Sequence, residues 1–463
     1  MKTLLRRLLF ILLGLAGLTA LFYAEEDWRG RRAWDNCKAE LEAKGAVLDW
    51  DKYIPPAVPD DQNFFKAPKM TEWFVKGVVQ TNGVISFQTT NKWSGLATNR
   101  LTTAVITNAT VAANYLKWSD QYQPDFDLMR EALKRSCARM DGDYSKPYEQ
   151  PIPNFINVRG IAQLLAQRAK CDLLLGQPDK ALQELTLLHD MCCLLEATPT
   201  GKPMTLVAAM INVAVTGLYV DTLGGGLQSH AWQEPQLAVL QNQLAEIKLT
   251  SPVVESFQEG PARMCRIIQT LPSYRIFNFG SNPKAMSNVG WWFWPRGWTY
   301  QNMVNVALLE RKPLEGFDLA HDTVAPRKFD EATREVQRFV NHGKFPYKIL
   351  AAIAIPNFIK AEQTTAHNQT MVNEAQIACA LERYRLTNGT YPETLDALMP
   401  QFIEKLPHDI IGGAPLIYRP KADGKFLLYS IGWNETDDGG QQETPQTKNG
   451  AVDFTKGDWV WKN

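Results

Sequence analysis

The densest group of side chains able to do chemistry lies at residues 290–300, GWWFWPRGWTY, where Trp291, Trp292, Trp294 and Trp298 stand beside Phe293 and Tyr300. Indole faces stack on sugar rings, anchor protein partners, settle at a membrane–water interface, or simply plug a core. Spacing alone leaves all four uses open. The titratable residues are less informative. The histidines, at 189, 230, 321, 342, 367 and 408, contain no HExxH or other close pair of the kind that holds catalytic zinc. No GxSxG elbow, P-loop, GxGxxG or kinase signature occurs. Ser281 and Lys284 form an SxxK, but Pro283 in its third position opposes a catalytic helix there. Carboxylates are too numerous for one glycosidase pair to be chosen, so no catalytic residue is assigned.

Charge and cysteines narrow the setting. The 49 basic and 49 acidic residues cancel, which argues against nucleic acid as the main partner because phosphate binding rests on a basic surplus. Seven scattered cysteines without a CxxC pair are too few for a disulfide framework in 463 residues. Adjacent Cys192 and Cys193, in LLHDMCCLL, fit buried small hydrophobes at least as well as a redox pair.

The elements that must position these residues begin with a membrane signal. Lys2, Arg6 and Arg7 precede the uncharged run Leu8–Ala24, and Glu25, Glu26 and Asp27 follow it. The run is close to the ~17-residue minimum for a spanning helix. A peptidase cut after Ala24 would put bulky Phe22 at the outer recognition position, so a retained anchor is expected rather than a cleaved signal. The flanking charges predict a cytoplasmic amino terminus and a body on the periplasmic or extracytoplasmic side. A helix leaving the membrane should end at Gly45 and lead into a Pro-rich passage lying along the body, and Asn82-Gly83 between β-branched runs signals a hairpin.

Residues from about 108 onward read as helical. Leu164, Leu165, Ala169, Leu173, Ala181, Leu185 and Leu188 recur at helical spacing on either side of Gly176-Gln-Pro-Asp179, where Gly176 stops one helix and Pro178 starts the next. Residues 158–195 resemble a single tetratricopeptide-type hairpin, without a second copy at a fixed period. A further pair, Met204–Leu223 and Gln233–Ile247, is predicted to be joined by Gly224-Gly225-Gly226.

The most specific resemblance lies at 349–463. ILAAIAIPNFIKAEQTTAHNQ, with Pro356 at the bend, resembles the second half of the long helix of type IV pilins and type II secretion pseudopilins. ALERYRLTNGTYPETLDALMP and then LPHDIIGGAPLIYRPKADGKFLLYSIGWNETDDGG continue that pattern, the latter predicting strands near Leu416–Arg419 and Phe426–Ser430 around Asp423-Gly424. The resemblance implies a helix packed on a small antiparallel sheet, a head able to fold by itself. It also implies calcium held after the last strand, for which Asn434, Asp437, Asp438 and Asp453 occupy the comparable stretch with suitable hard oxygen ligands. The prepilin processing site has no counterpart near the amino terminus: GKFPYK, 343–348, lies deep in the chain. The module therefore reads as a pilin-like head reused as a fixed domain.

The expectation is a mainly α protein with a smaller α+β C-terminal domain, divided as anchor (1–24), juxtamembrane helix, Pro-rich segment and β-hairpin (25–107), helical domain (108–340) and pseudopilin-like domain (341–463). Its expected role is that of a cell-membrane, single-pass envelope protein, a non-catalytic scaffold binding protein partners. The alternatives are a glycan-binding or glycan-processing protein using Trp291, Trp292, Trp294 and Trp298, and an accessory pseudopilin of a type II secretion system.

Overall fold

A computed structural model of the chain describes all residues except 1, 77, 80–84, 87–91, 94, 97–105, 107, 194, 196–204, 271–293, 342–345, 356–358, 443–452 and 463. It starts with α1 (Lys2–Ala43), one unbroken helix of 42 residues, closed by Gly45 at a φ of +83° in the left-handed conformation expected of a helix-terminating glycine. Between Leu4 and Phe22 the large apolar side chains of α1 are 45% to 72% exposed. This half is apolar and long enough to cross a membrane, which makes it compatible with membrane association. The second half is different. Glu26, Gly30, Trp34 and Leu41 recur at helical spacing and are all buried against the body.

The Pro-rich passage lies along the body in short 3-10 turns, burying Phe64 and Phe65. Next come α2 (Met70–Phe74) and β1 (Val75–Lys76). Strands β2 (Val78–Val79) and β3 (Ile85–Ser86) pair antiparallel where the hairpin was predicted, while Asn82-Gly83 lies outside the described residues. Helices α3 (Ala109–Ser119) and α4 (Gln123–Leu133) precede β4 (Ile152–Pro153), which pairs with β1.

Helices α5 (Phe155–Leu174) and α6 (Pro178–Cys193) form the predicted helical hairpin. Gly176 takes a φ of +68°, and Ala169 and Ala181 are fully buried where the two helices meet. Cys192 sits in the core. Arg168 on α5 ties the hairpin to the preceding helices, donating to Glu184 (2.8 Å), Ser119 (2.7 Å) and Asp120 (3.0 Å).

The next pair corrects the sequence reading. Helix α7 (Leu206–Gln228) runs straight through Gly224-Gly225-Gly226 before α8 (Glu234–Glu246). A Cβ at Gly226 would lie 2.2 Å from Nε1 of Trp232, and one at Gly224 would lie 3.3 Å from the Trp461 ring. Burial of two indoles against bare backbone outweighs a helix penalty of about 1 kcal/mol per glycine.

The chain continues through α9 (Thr250–Thr270), α10 (Arg296–Leu309), the antiparallel pair β5 (Phe317–Asp318) and β6 (Thr323–Val324), α11 (Pro326–Asn341), α12 (Ile349–Ala354) and α13 (Ile359–Asn388). Pro356, the predicted bend, is outside the described residues. Strands β7 (Ile417–Pro420) and β8 (Phe426–Ser430) form the predicted C-terminal hairpin with Gly424 at a φ of +77°, and β9 (Trp459–Val460) adds an unanticipated third strand.

The largest core unites side chains from Phe64 to Leu249 with others from Val372 to Trp461. Its bridge is α13, which packs on α7 and α8 and buries Ala375, Ile377, Cys379 and Leu381. The core thus continues across residue 340, and the C-terminal module shares its long helix with the helical body. A second core joins Trp34 and Leu41 of α1 to α9, α10 and α12.

Candidate functional site

Two places combine exposed, chemically distinctive side chains with defined geometry. The first is the crossing of α1 and α10. Glycines let the backbones touch: a Cβ at Gly297 would fall 1.9 Å from the carbonyl oxygen of Glu26, and one at Gly30 would fall 2.3 Å from that of Gly297. Around this contact the Gly297 amide donates to Asp27 Oδ1 (2.7 Å) and the Trp298 indole to Glu26 Oε2 (3.0 Å). The Trp298 ring meets Trp294 edge-on at 5.2 Å, Tyr347 at 6.0 Å and Phe22 of α1 at 6.4 Å. Trp294 donates to Thr299 Oγ1 at 3.1 Å. Asn302, fully buried on α10, accepts the amides of Leu350 and Ala351, so the start of α12 is bolted to the same junction. Of the four tryptophans singled out in sequence, Trp294 and Trp298 therefore meet at the base of the body, and Trp291 and Trp292 lie outside the described residues.

The second place is a cleft of about 1150 Å³ whose walls come from α5, α7, α13 and the chain around β9. Gly217, Gly224 and Gly225 keep the α7 wall low, and Ala166, Leu173, Met371 and Trp461 give apolar surface. Polar groups line it too: Lys170 pairs with Asp221 at 2.6 Å, and Gln228 donates to the Lys462 carbonyl at 3.1 Å. The His367 ring lies tilted against Phe454 with centroids 4.1 Å apart, and its Nδ1 is buried without a hydrogen-bond partner. Burial, with Lys462 adding repulsion, pushes the imidazole down to about 4 and keeps it neutral. An apolar floor with amide, hydroxyl and imidazole groups around it suits binding.

The acidic loop is held by its own hydrogen bonds. Asp437 Oδ1 accepts the Gly439 amide at 2.8 Å and the Tyr429 hydroxyl at 3.0 Å, which hold the carboxyl below its usual range. Asp453 accepts both the hydroxyl and the amide of Thr455, with the same effect. Asn434 donates to Asp438 at 2.8 Å, while Asp438 and Gly440 give their amides to the fully buried Asp458. Among the described residues no three His, Cys, Asp or Glu side chains gather as a metal site, and Asp437, Asp438 and Asp453 are all described.

Sequence reasoning missed the cleft, Asp458 and a row of polar residues on α13. Glu362, Thr365, Gln369 and Asn373 follow helical spacing, the mark of a solvated face, yet all are buried. Gln369 accepts the Leu249 amide at 2.7 Å and Asn373 donates to the His408 carbonyl at 3.0 Å, so these two serve buried backbone on neighbouring segments, while Thr365 donates to Ala361 within its own helix. No family model, curated protein or solved structure matches the chain.

Proposed function

We propose that the chain is a single-pass envelope protein anchored in the cell membrane by α1, a non-catalytic scaffold that holds a partner-binding body on the extracytoplasmic side. The observation that carries this reading is the continuity of α1: one helix has an exposed apolar half and a half built into the body, with Gly30 against Gly297 and Trp34 and Leu41 in the second core. Membrane and body are then joined by a rigid rod rather than a linker. The basic flank before the apolar run and the acidic flank after it support the orientation. The cleft between α5, α7 and α13 supports partner binding, and the C-terminal hairpin packed beside α13 is consistent with a reused pilin-like head.

A reporter fused after Asn463 should be active only outside the cytoplasm, and the protein in membranes should begin at Met1. Cytoplasmic activity would overturn the topology. For the binding role, a photo-crosslinker replacing Leu174, which is 48% exposed beside the cleft, should capture a defined envelope partner from intact cells. Gly225→Trp, which fills the cleft, should abolish that product. A product insensitive to this substitution would remove the cleft from the proposal.

A further inference from the structure

We infer that the base of the body, formed by Trp28 of α1 with Trp294, Arg296 and Trp298 at the start of α10, is seated in the lipid headgroup layer. The inference rests on the anchoring of α1 proposed above and adds a second lipid contact made by the body. Trp298 comes from the body, yet its ring lies against Phe22, inside the apolar run. The Gly30–Gly297 contact and the bonds from Gly297 to Asp27 and from Trp298 to Glu26 fix that height along α1. With a rise of ~1.5 Å per residue, Trp28 stands about 6 Å beyond Ala24, the end of the run. The headgroup zone is itself ~5–7 Å deep on each side of a ~30 Å hydrocarbon core. The run is about 25 Å long at that rise, so with it centred in the hydrocarbon Trp28 and the first turn of α10 stand about 4 Å outside the core, within that zone.

The side chains there suit a lipid interface. Trp28 is 62% exposed, and the Arg32 guanidinium lies 5.4 Å over its ring. Arg296 is exposed and Trp294 and Trp298 are half-buried. Indoles prefer the boundary between hydrocarbon and headgroups, and arginines reach from it toward phosphate. The occupant is identified by continuity, because the Phe22–Glu26–Gly30 side of α1 that carries α10 runs directly on into the apolar half of the helix, and Trp28 stands exposed at the same height.

The full chain, reconstituted in phosphatidylcholine vesicles whose acyl chains carry bromine near the headgroup end, should lose tryptophan emission relative to unbrominated vesicles. Trp28→Phe, a change at an exposed position outside the core, should reduce the quenched part, and Trp28→Phe with Trp298→Phe should reduce it further. Trp232→Phe, which removes a buried indole on the body, should leave the quenched part unchanged. If the protein stays with the vesicles through alkaline washing but neither variant changes the quenching, the lipid seat is overturned while the anchor stands. Such a result would return Trp294 and Trp298 to a partner or glycan surface. Release by the wash would overturn the anchor and the seat together.

Discussion

The α1–α10 crossing and the cleft use glycine in opposite ways. At the α1–α10 crossing, Gly30 and Gly297 have each other's helix within van der Waals overlap of any added carbon. At the cleft, a Cβ on Gly225 would meet nothing within 4 Å. In the first case the missing side chain brings two backbones together and fixes the body to the rod. In the second it leaves room. The lesson is that a glycine inside a helix has no single meaning, and only its surroundings decide whether it is a joint or an opening. Buried ionisable groups differ too between the far end of α10 and the cleft. Glu310, on the chain just beyond α10, is 3% exposed and pushed up to about 8 by burial, with Arg263 opposing, whereas His367 at the cleft is pushed down to about 4.

The largest expected effect lies at the joint. Gly297→Leu forces side-chain atoms into the backbone of Glu26 and Asp27, and should cost about 4 kcal/mol or more, above the usual range for overpacking because no side chain can move aside. Urea unfolding in detergent should show the loss, and protease should cut α1 between Glu26 and Leu41; an unchanged midpoint would mean that α1 is not docked. A smaller, crossed effect should appear with pH. Glu310 binds its proton more tightly folded than unfolded, so its favourable state is complete below the ordinary carboxyl range near pH 4.5 and is lost as pH rises toward 8. His367 resists protonation when folded, so its contribution is complete above about 6.5 and is lost as pH falls toward 4. Glu310→Gln should therefore raise stability at pH 8–9 relative to pH 5 by on the order of 3 kcal/mol. His367→Gln should flatten the acid side by on the order of 2 kcal/mol. Unfolding midpoints at pH 5, 7 and 9 test both, and parallel profiles for wild type and variants would remove these two groups as the cause.

What could be read without the structure follows the range of the interactions. The apolar run with its charged flanks, the stop at Gly176 followed by Pro178, and the Asp423-Gly424 hairpin are each encoded within a few residues, and each appears in the fold. The glycine run at 224–226 reads as a turn by local propensity, while Trp232, just past the end of the helix, and Trp461, far along the chain, pack against it as helix. The polar row on α13 has the period of a solvated face, and its burial depends on acceptors and donors at Leu249 and His408. At the base of the body, Trp298 finds Glu26 across 272 positions. The cleft draws on segments from Ile106 to Lys462 that no window joins, and β9 is two residues long. Density in the sequence marks the four tryptophans, while the place of Trp298 beside α1, with Trp294 against it, depends on contacts with residues far along the chain.

The smallest prediction isolates the opening from the joint. Gly225 lies in the interior of α7 and is exposed at the cleft, with nothing within 4 Å of an added Cβ. Alanine there removes freedom from the unfolded chain and meets no clash, so Gly225→Ala should stabilise the protein by about 0.5–1 kcal/mol. Its neighbour is the control. Alanine at Gly226 would press on the Trp232 indole from 2.2 Å, and that ring is fully buried with its Nε1 donating to the Leu223 carbonyl at 3.0 Å. Gly226→Ala should therefore destabilise by about 1–3 kcal/mol, the range for overpacking a filled site. Opposite signs at adjacent positions cannot come from helix propensity, which favours alanine at both. Two stabilising substitutions, read as urea midpoints in the same detergent, would mean that α7 does not carry Trp232 as described; two destabilising ones would mean that the cleft wall at Gly225 is already filled.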